Sequence, residues 1–291
     1  MERVEEASDL RRILASVRAD GRRIGFVPTL GALHEGHLAH VPILAAHTDY
    51  VVMSIFVNPL QFGPGEDFER YPRSLDRDAE LAQKAGVGLL FHPQVATLYP
   101  AGAETLVEVP ELSAQLEGVV RPTHFRGVAT VVAKLLNLVR PDLTSFGQKD
   151  LQQLVVVRRM ALDLHFEGEI VAVPTVREPD GLALSSRNTY LDAHDRKAAV
   201  ALYRACRAGF EAVVAGERVP SRVEEIMAAV LGAFPRIRPD YAVVRRLHDL
   251  KPMERLVGRV ALMVAARVGS TRLLDNLVME VGPDGVRETL A

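Results

Sequence analysis

The sequence predicts an α/β protein with a doubly wound parallel sheet, followed by a smaller α+β unit. Two apolar runs carry this prediction, Arg23–Pro28 (RIGFVP) and Val51–Val57 (VVMSIFV), because neither shows the polar alternation of a half-exposed strand. Such runs are typical of strands buried on both faces of a parallel sheet. A helical pattern lies between them, so the chain crosses from one strand to the next through a helix.

Three further segments are predicted to be strands, and each follows a helix-length stretch: Gly88–Phe91, Leu143–Gly147 and Glu169–Val173. Within Phe125–Val139, apolar residues recur every three or four positions, which indicates a helix with one buried face.

A change of composition marks the domain boundary. The segment Thr175–Asn188 (TVREPDGLALSSRN) is rich in turn-forming and charged residues, and we predict a long exposed connection there. The boundary at its start gives domains of residues 1–175 and 176–291. Predicted helices of the second domain lie near Asp192–Ala215 and Ser221–Phe234, and predicted strands near Tyr241–Arg246, Arg259–Val268 and Leu277–Val281.

The composition excludes several classes of protein. Hydrophobic residues make up 48% of the 291, enough for a sizeable core. The 35 basic and 37 acidic side chains leave no single-sign surface for nucleic acid. The single cysteine, Cys206, excludes an intrachain disulfide and is predicted to lie in the core. The amino terminus, MERVEEASDLRRIL, predicts neither a signal peptide nor a membrane span, so we expect a cytoplasmic protein.

The most informative motif is PTLGALHEGH, Pro28–His37, which follows the first buried strand and runs into a helix. It falls at the carboxyl edge of the predicted sheet, where open α/β folds bind ligands. Gly31 and Gly36 permit close backbone approach. His34 and His37 are spaced to project to one side and to donate hydrogen bonds to phosphate oxygens. Zinc ligation and a plain surface location are the alternatives for this pair.

Three other segments carry chemistry-bearing side chains. The connection contains Leu184–Arg187 (LSSR), whose hydroxyls and guanidinium can bind a polyphosphate or can form a serine-rich turn. Phe146–Gln153 (FGQKDLQQ) places Lys149 near a helix amino terminus, where a cation is disfavoured unless an anion lies close by. Asp150 is a catalytic candidate or a helix cap. Ser54–Gly63 (SIFVNPLQFG) offers an amide for a small polar acid.

These segments together resemble the pantothenate synthetase family of the HxGH adenylyl-transferring superfamily. The resemblance also rests on RPTHFRGVATVVAKLLNLV (Arg121–Val139), PTVREPDGLALSSRN (Pro174–Asn188) and AARVGSTRLLDN (Ala265–Asn276). It implies an ATP-dependent ligase that joins pantoate to β-alanine through a pantoyl-adenylate. It also implies a Rossmann-like first domain, a smaller lid domain and a homodimer.

The resemblance assigns residues by motif. His37 is expected to be the proton donor, while His34, Lys149, Ser185 and Arg187 are expected to neutralise phosphate charge. Gln61 and Gln153, with Asn58, are expected to bind pantoate, and Gln61 also β-alanine. Expected ATP contacts are Leu30, Gly31, Ala32, Leu33, His34, Glu35, Gly36, His37, Gly147, Gln148, Lys149, Asp150, Val176, Leu184, Ser185, Ser186 and Arg187.

The sequence departs from the family pattern at three places. Leu30 and Leu184 stand where the family usually carries methionine, and both substitutions conserve apolar volume. Arg77 interrupts a run of acids found in some relatives, which weakens magnesium binding by Asp76 or Asp78. We therefore expect Mg²⁺ to arrive on the nucleotide.

Two other functions are considered. A nucleotidylyltransferase would share the HxGH motif but would lack the amides at Gln61 and Gln153. An RNA-binding module would be expected to show a basic stripe or an aromatic platform, and this sequence has no tryptophan and only 5% aromatic residues.

Overall fold

The computed structural model describes residues 1–66 and 68–291. The chain divides into two compact units, each formed from two stretches of sequence. The first unit comprises Met1–Gly147 and Gln152–Val173, and the second comprises Gln148–Leu151 and Pro174–Ala291. The second unit begins close to the boundary predicted after residue 175, but it also includes Gln148–Leu151, which the sequence does not predict.

The sheet of the first unit has six strands, each parallel to its neighbours, which confirms the predicted parallel sheet. The strands are β1 (Glu2–Val4), β2 (Ile24–Thr29), β3 (Tyr50–Ile55), β4 (Leu89–Phe91), β5 (Leu143–Gly147) and β6 (Glu169–Val173). Their order is β1–β4–β3–β2–β5–β6. Because β3 lies on one side of β2 and β5 on the other, the strand order reverses at β2, which is where such sheets bind ligands.

The helices along this part of the chain cover the sheet and connect its strands. They are α1 (Ala7–Ala19), α2 (Glu35–Leu38), α3 (His40–Ala45), α4 (Leu75–Lys84), α5 (Val95–Leu98), α6 (Pro110–Ser113), α7 (Glu117–Val120), α8 (His124–Val139) and α9 (Leu151–Asp163). Burial on α8 extends beyond the predicted single face, since Ala129, Thr130 and Ala133 are also buried. A helix enclosed in this way is a core element of the unit.

The second unit contains a four-stranded antiparallel sheet in the order β10–β9–β8–β7, which confirms the predicted smaller α+β unit. The strands are β7 (Ile237–Arg246), β8 (Gly258–Val268), β9 (Thr271–Gly282) and β10 (Gly285–Glu288), and the helices are α10 (Ala193–Ala199), α11 (Ala201–Val214) and α12 (Pro220–Gly232). Cys206 on α11 is fully buried, as predicted, and burial raises the pKa of its thiol.

The structure differs from the predicted elements at several places. The edge strands β1 and β10 were not predicted, since both are short and carry polar residues. Strand β9 begins at Thr271 rather than at Leu277, because a tight turn pairs Thr271 with Val268 of β8.

The segment Thr175–Asn188 is not the exposed connection that its composition predicts. Of its residues only Pro179 and Asp180 are exposed, and Leu182 is buried. Arg177 and Ala183 form an antiparallel bridge, so the segment folds back on itself. Arg177, one of the charged residues of this segment, forms an ion pair with Asp275 inside the protein instead of pointing into solvent.

Within residues 1–66 and 68–291, no helix has the length and apolar character needed to cross a bilayer.

His40 on α3 is a buried histidine whose Nδ1 lies 2.9 Å from Ser145 Oγ on β5. Burial lowers the pKa of His40 from 6.5 to about 4, against a smaller opposing effect of Ser145. The folded protein therefore keeps this imidazole neutral at pH values where the unfolded chain protonates it.

We expect the free energy of unfolding to fall as the pH is lowered from about 6.5 to 4, with about 3 kcal/mol due to His40 alone. Urea unfolding across this pH range measures the slope. The variant His40→Gln should show a smaller slope, and His47→Gln, at an exposed position, should keep the slope of the parent protein. Equal slopes in all three proteins would contradict the assignment.

Candidate active site

The turn that leaves β2 has an unusual backbone conformation. Gly31 and Ala32 have successive positive φ values of 87° and 53°, a region that only glycine adopts routinely. The amides of Ala32 and Leu33 donate hydrogen bonds to Asp78 Oδ2 and Oδ1, at 2.7 and 2.9 Å. Asp78 lies on α4 and is 1% exposed. Its carboxylate therefore fixes the turn with two charge-assisted hydrogen bonds.

Close packing beneath Gly31 explains why a glycine occupies this position. A Cβ atom there would lie 3.0 Å from Ile55 Cγ2 and 3.1 Å from Asp78 Oδ2. Thr29 Oγ1 accepts from the Gly31 amide at 3.2 Å and donates to the Ser54 carbonyl at 2.7 Å. The turn after β2 is thus tied to the end of β3.

His34 and His37 form a close pair of rings at the start of α2. Their ring centroids are 4.1 Å apart, with an interplanar angle of 36°. His34 caps the helix, because its Nδ1 accepts the Gly36 amide at 3.1 Å. A neutral His34 that accepts at Nδ1 carries its proton on Nε2, where it can donate to an oxyanion. Both rings are half-buried.

Asn58 and Gln61 lie in the 3-10 turn that follows β3. Asn58 has no exposed surface, and its Nδ2 donates to Gln61 Oε1 at 3.1 Å and to the Gly127 carbonyl at 3.0 Å. Its Oδ1 accepts from Tyr99 Oη at 2.8 Å and from the Leu60 amide at 3.3 Å. Both ends of the Asn58 amide are hydrogen-bonded within the protein, and its bond to Gln61 Oε1 orients the Gln61 side chain.

Helix α8 supports the same turn from the other side. The Gln61 carbonyl accepts from Arg121 Nη2 at 3.3 Å, and it lies 2.9 Å from His124 Nδ1. Gly127 allows the close approach, since a Cβ there would lie 2.3 Å from the Leu60 carbonyl oxygen. The main chain and the side-chain oxygen of Gln61 are therefore both fixed, which leaves its amide Nε2 as the group that can bind a ligand.

A half-buried ion pair joins Arg121 to Glu66. Arg121 Nη2 lies 2.5 Å from Glu66 Oε2, and its Nε donates to Oε1 at 2.7 Å. Burial acts to raise the pKa of Glu66, but the hydrogen bonds and charge of Arg121, helped by Gly63 and His124, hold it below its ordinary value. The pair keeps Arg121 beside the Gln61 turn.

Of the two adjacent glutamines on α9, Gln152 is committed to the fold. Its Oε1 accepts the Glu117 amide at 3.0 Å, and its Nε2 donates to the carbonyls of Leu112 and Gln115, both at 2.8 Å. Gln153 is half-buried. Gln153 is therefore the one of the two with an accessible amide.

In the second unit, Lys149 lies in the 3-10 turn Gln148–Asp150, directly before α9. Its side chain is 22% exposed, and Nζ is 3.9 Å from Asp150 Oδ1. The main chain of the turn is fixed by Asn276 on β9, whose Nδ2 donates to the carbonyls of both Gln148 and Lys149 at 2.9 Å.

The LSSR segment of the second unit, Leu184–Arg187, begins beside Val176. The Leu184 amide donates to the Val176 carbonyl at 2.9 Å, so these two predicted ATP contacts are neighbours. Ser185 Oγ accepts the Arg187 amide at 3.3 Å and caps the 3-10 helix Ser186–Tyr190. The serine-rich turn that the sequence left as the alternative is present, and it places the side chains of this segment in half-buried positions.

The predicted residues are divided between the two units. In the first unit, Leu30–His37 and Asn58–Gln61 follow β2 and β3, which pair as far as Thr29 and Ile55, so both groups leave the same edge of the sheet. The second unit contains Gln148–Asp150, Val176 and Leu184–Arg187.

Two structural roles were missed by the sequence reasoning. Asp78 was considered only as a magnesium ligand, and Asn276 only as part of a family motif. Both side chains act on backbone groups far away in the sequence, so no local signal identifies them. Among the described residues, no cluster of three histidine, cysteine or acidic side chains could hold a metal ion.

The chain is similar to known proteins over nearly its whole length. The family model for pantoate-beta-alanine ligase matches residues 2–278. The pantothenate synthetase of Moorella thermoacetica is 51% identical over 281 residues, which cover 97% of this chain and 99% of the relative. The crystal structure of pantothenate synthetase from Thermus thermophilus superposes with a TM-score of 0.90 at 50% identity, covering 95% of this chain and 99% of that one.

A second solved structure contains ligands. It is a pantoate-beta-alanine ligase from Francisella tularensis complexed with beta-gamma ATP and beta-alanine, with a TM-score of 0.77 and 31% identity. The match covers 95% of this chain and 97% of that one.

We expect Asp78→Asn to lower the free energy of unfolding by about 1–3 kcal/mol, because the new amide NH₂ faces a backbone N–H and leaves it unpaired. Asp76→Asn is the matched control on the same helix, since the Asp76 side chain is 95% exposed and its loss should change stability by no more than about 0.5 kcal/mol. Urea unfolding measures both, and equal losses would show that Asp78 does not hold the turn.

Proposed function

The chain belongs to the pantoate-beta-alanine ligase family, and we propose that it forms its product through a pantoyl-adenylate. It is a ligase that joins pantoate to β-alanine at the expense of ATP. The observation that carries the proposed route is the paired imidazoles of His34 and His37, 4.1 Å apart, on the turn that leaves the central strand β2. Such a pair suits a reaction at a phosphorus atom.

The proposed reaction has two steps. First, the pantoate carboxylate attacks the α-phosphorus of ATP, and the bond to pyrophosphate breaks. Second, the β-alanine amine attacks the acyl carbon of the mixed anhydride, so that the amide forms, AMP leaves and the amine loses a proton. The protein's contribution is to align the reactants, to stabilise developing negative charge and to exclude water.

In the first unit, we propose that His37 donates a proton and that His34 donates a hydrogen bond to a phosphate oxygen. The turn Leu30–Leu33 supplies backbone contacts to the nucleotide. Asp78 keeps this turn in one conformation through its hydrogen bonds to Ala32 and Leu33. Gln61 binds pantoate and then β-alanine through its Nε2 atom. The Asn58 side chain donates a hydrogen bond to the Oε1 atom of Gln61. Gln153 provides the second amide for pantoate.

In the second unit, we propose that Lys149, Ser185 and Arg187 bind the phosphates. Arginine and lysine are suited to phosphate for different reasons, since arginine offers a planar fork of donors and lysine a compact charge. The remaining proposed contacts to ATP are Glu35, Gly36, Gly147, Gln148, Asp150, Val176, Leu184 and Ser186.

Asp76 and Asp78, the two carboxylates considered as magnesium ligands, are both engaged within the protein. Both oxygens of Asp78 accept backbone amides, and Asp76 pairs with Arg3 at the surface. We propose that Mg²⁺ enters as part of the nucleotide substrate. We further propose that the enzyme is a cytoplasmic homodimer, as the family resemblance implies.

We expect the enzyme to exchange label between pyrophosphate and ATP when pantoate is present and β-alanine is absent. The exchange follows because adenylation is reversible and does not require the amine. Addition of β-alanine should release free AMP and pantothenate, detected by mass spectrometry. Absence of exchange would contradict a free adenylate, and AMP retained on the product would indicate a nucleotidylyltransferase.

Removal of one charge-stabilising donor should slow turnover by roughly 10²-fold or more in His37→Ala and in Lys149→Ala. The measurement is the steady-state rate of AMP release at saturating substrates. His47→Ala and Lys197→Ala, at exposed positions of the same two units, serve as matched controls and should retain the parent rate. Parent-like turnover in His37→Ala or Lys149→Ala would remove that residue from the mechanism.

A further inference from the structure

The turn Gln148–Asp150 is held by side chains that are distant in sequence. Asn276 Nδ2 donates to two successive carbonyls, those of Gln148 and Lys149, both at 2.9 Å. On the other side of the turn, Gln148 Oε1 accepts the Ala291 amide at 2.9 Å. Both Gln148 and Asn276 are buried, at 7% and 2% exposure.

The chemistry of Asn276 suits this position in a way that few side chains can match. Only a group with two N–H donors on one nitrogen can hydrogen-bond two neighbouring carbonyls from a short side chain. Fixing two successive carbonyls fixes two peptide planes, and with them the direction in which the Lys149 side chain leaves the backbone. Lys149 itself retains 22% exposure, so the anchored turn presents its ammonium group to solvent or ligand.

Asn276 is in turn held by a buried ion pair. The backbone N–H of Asn276 donates to Asp275 Oδ1 at 2.8 Å, and Arg177 donates to both oxygens of Asp275 at 2.6 and 2.8 Å. The Arg177 guanidinium also lies 4.0 Å from the centroid of the Tyr203 ring. Burial acts to lower the pKa of Arg177, but the hydrogen bonds and charge of Asp275 raise it, so the guanidinium stays protonated.

We propose that Asn276 is a positioning residue for the ligation reaction, which acts by holding Lys149 in the direction required for phosphate binding. The inference rests on the proposed role of Lys149. Asn276 contacts the backbone of the turn and has no part in the chemistry itself. Its Oδ1 is buried and has no hydrogen-bond partner among the described residues, so the two donated bonds are the interactions of its side chain that the structure shows.

The test is a double-mutant cycle between Asn276 and Lys149 in the full-length enzyme. The variants are Asn276→Leu, which keeps the size of the side chain and removes both donors, Lys149→Ala, and the two combined. Pantoate-dependent exchange of label between pyrophosphate and ATP is measured per mole of folded protein. Asn276→Leu should slow exchange roughly 10- to 100-fold, the scale of a misplaced catalytic group.

The exchange rate of the double variant gives the decisive result. If Asn276 acts through Lys149, Asn276→Leu should cause little further loss in the Lys149→Ala background, because the residue that it positions is absent. Losses that multiply in the double variant would overturn the proposal and would indicate a general structural role. Parent-like exchange in Asn276→Leu with slow exchange in Lys149→Ala would overturn the proposal and leave the function of Lys149 intact. Parent-like exchange in Lys149→Ala would overturn both.

Two further variants separate positioning from stability. Val223→Ala opens a cavity in the core of the same unit, where Val223 is fully buried, and it should lower the thermal midpoint while exchange per folded protein stays at the parent value. Asn276→Asp keeps the shape of asparagine without its donors, and it replaces Asn276→Leu if the leucine variant does not fold. Slow exchange in Val223→Ala equal to that in the Asn276 variant would attribute the loss to stability and overturn the proposal.

Discussion

The buried carboxylate of Asp78 is the constraint on which the first unit's site depends. A turn with two successive left-handed residues directs backbone N–H groups inward, where water cannot satisfy them, and each unsatisfied group costs free energy. Asp78 accepts hydrogen bonds from two of these N–H groups, at the amides of Ala32 and Leu33. The turn therefore ends in one conformation, and α2 begins at a fixed point with His34 as its cap.

The sequence predicts best those strands whose own residues indicate that they are buried. Strands β5 and β6 have the predicted bounds, and β2 and β3 differ from prediction by one or two residues at their ends. The continuous apolar runs of β2 and β3 are typical of strands buried on both faces, and most of their residues are buried. Strands β1 and β10 escaped prediction because each is a short polar segment, whose conformation is imposed by pairing with β4 or β9 and not by its own residues.

The site was predictable to the extent that its residues lie close together in the chain. The spacing of His34 and His37 predicted the side on which both rings lie, because a helix begins between them. The charge and turn residues of Thr175–Asn188 predicted exposure and were misleading, since the partner of Arg177 is Asp275 on a strand far along the chain. A single sequence does not indicate which distant residues pair. From its neighbours in sequence, Arg177 therefore looks like a solvent-exposed arginine.

Whether a buried amide binds a substrate or holds the fold depends on how many of its atoms the protein already uses. Asn58 and Gln152 satisfy both the oxygen and the nitrogen of their amides internally, so substrate binding would first have to break bonds that stabilise a turn. Among the described residues, the Gln61 amide is hydrogen-bonded through its oxygen, and its nitrogen is the group that a ligand can reach without breaking such a bond. In the sequence, Asn58 and Gln61 stand three residues apart after the same strand, and residue type cannot separate them. The difference arises only when folding brings Tyr99 and Gly127 beside Asn58, so the division between support and binding is a property of the tertiary structure.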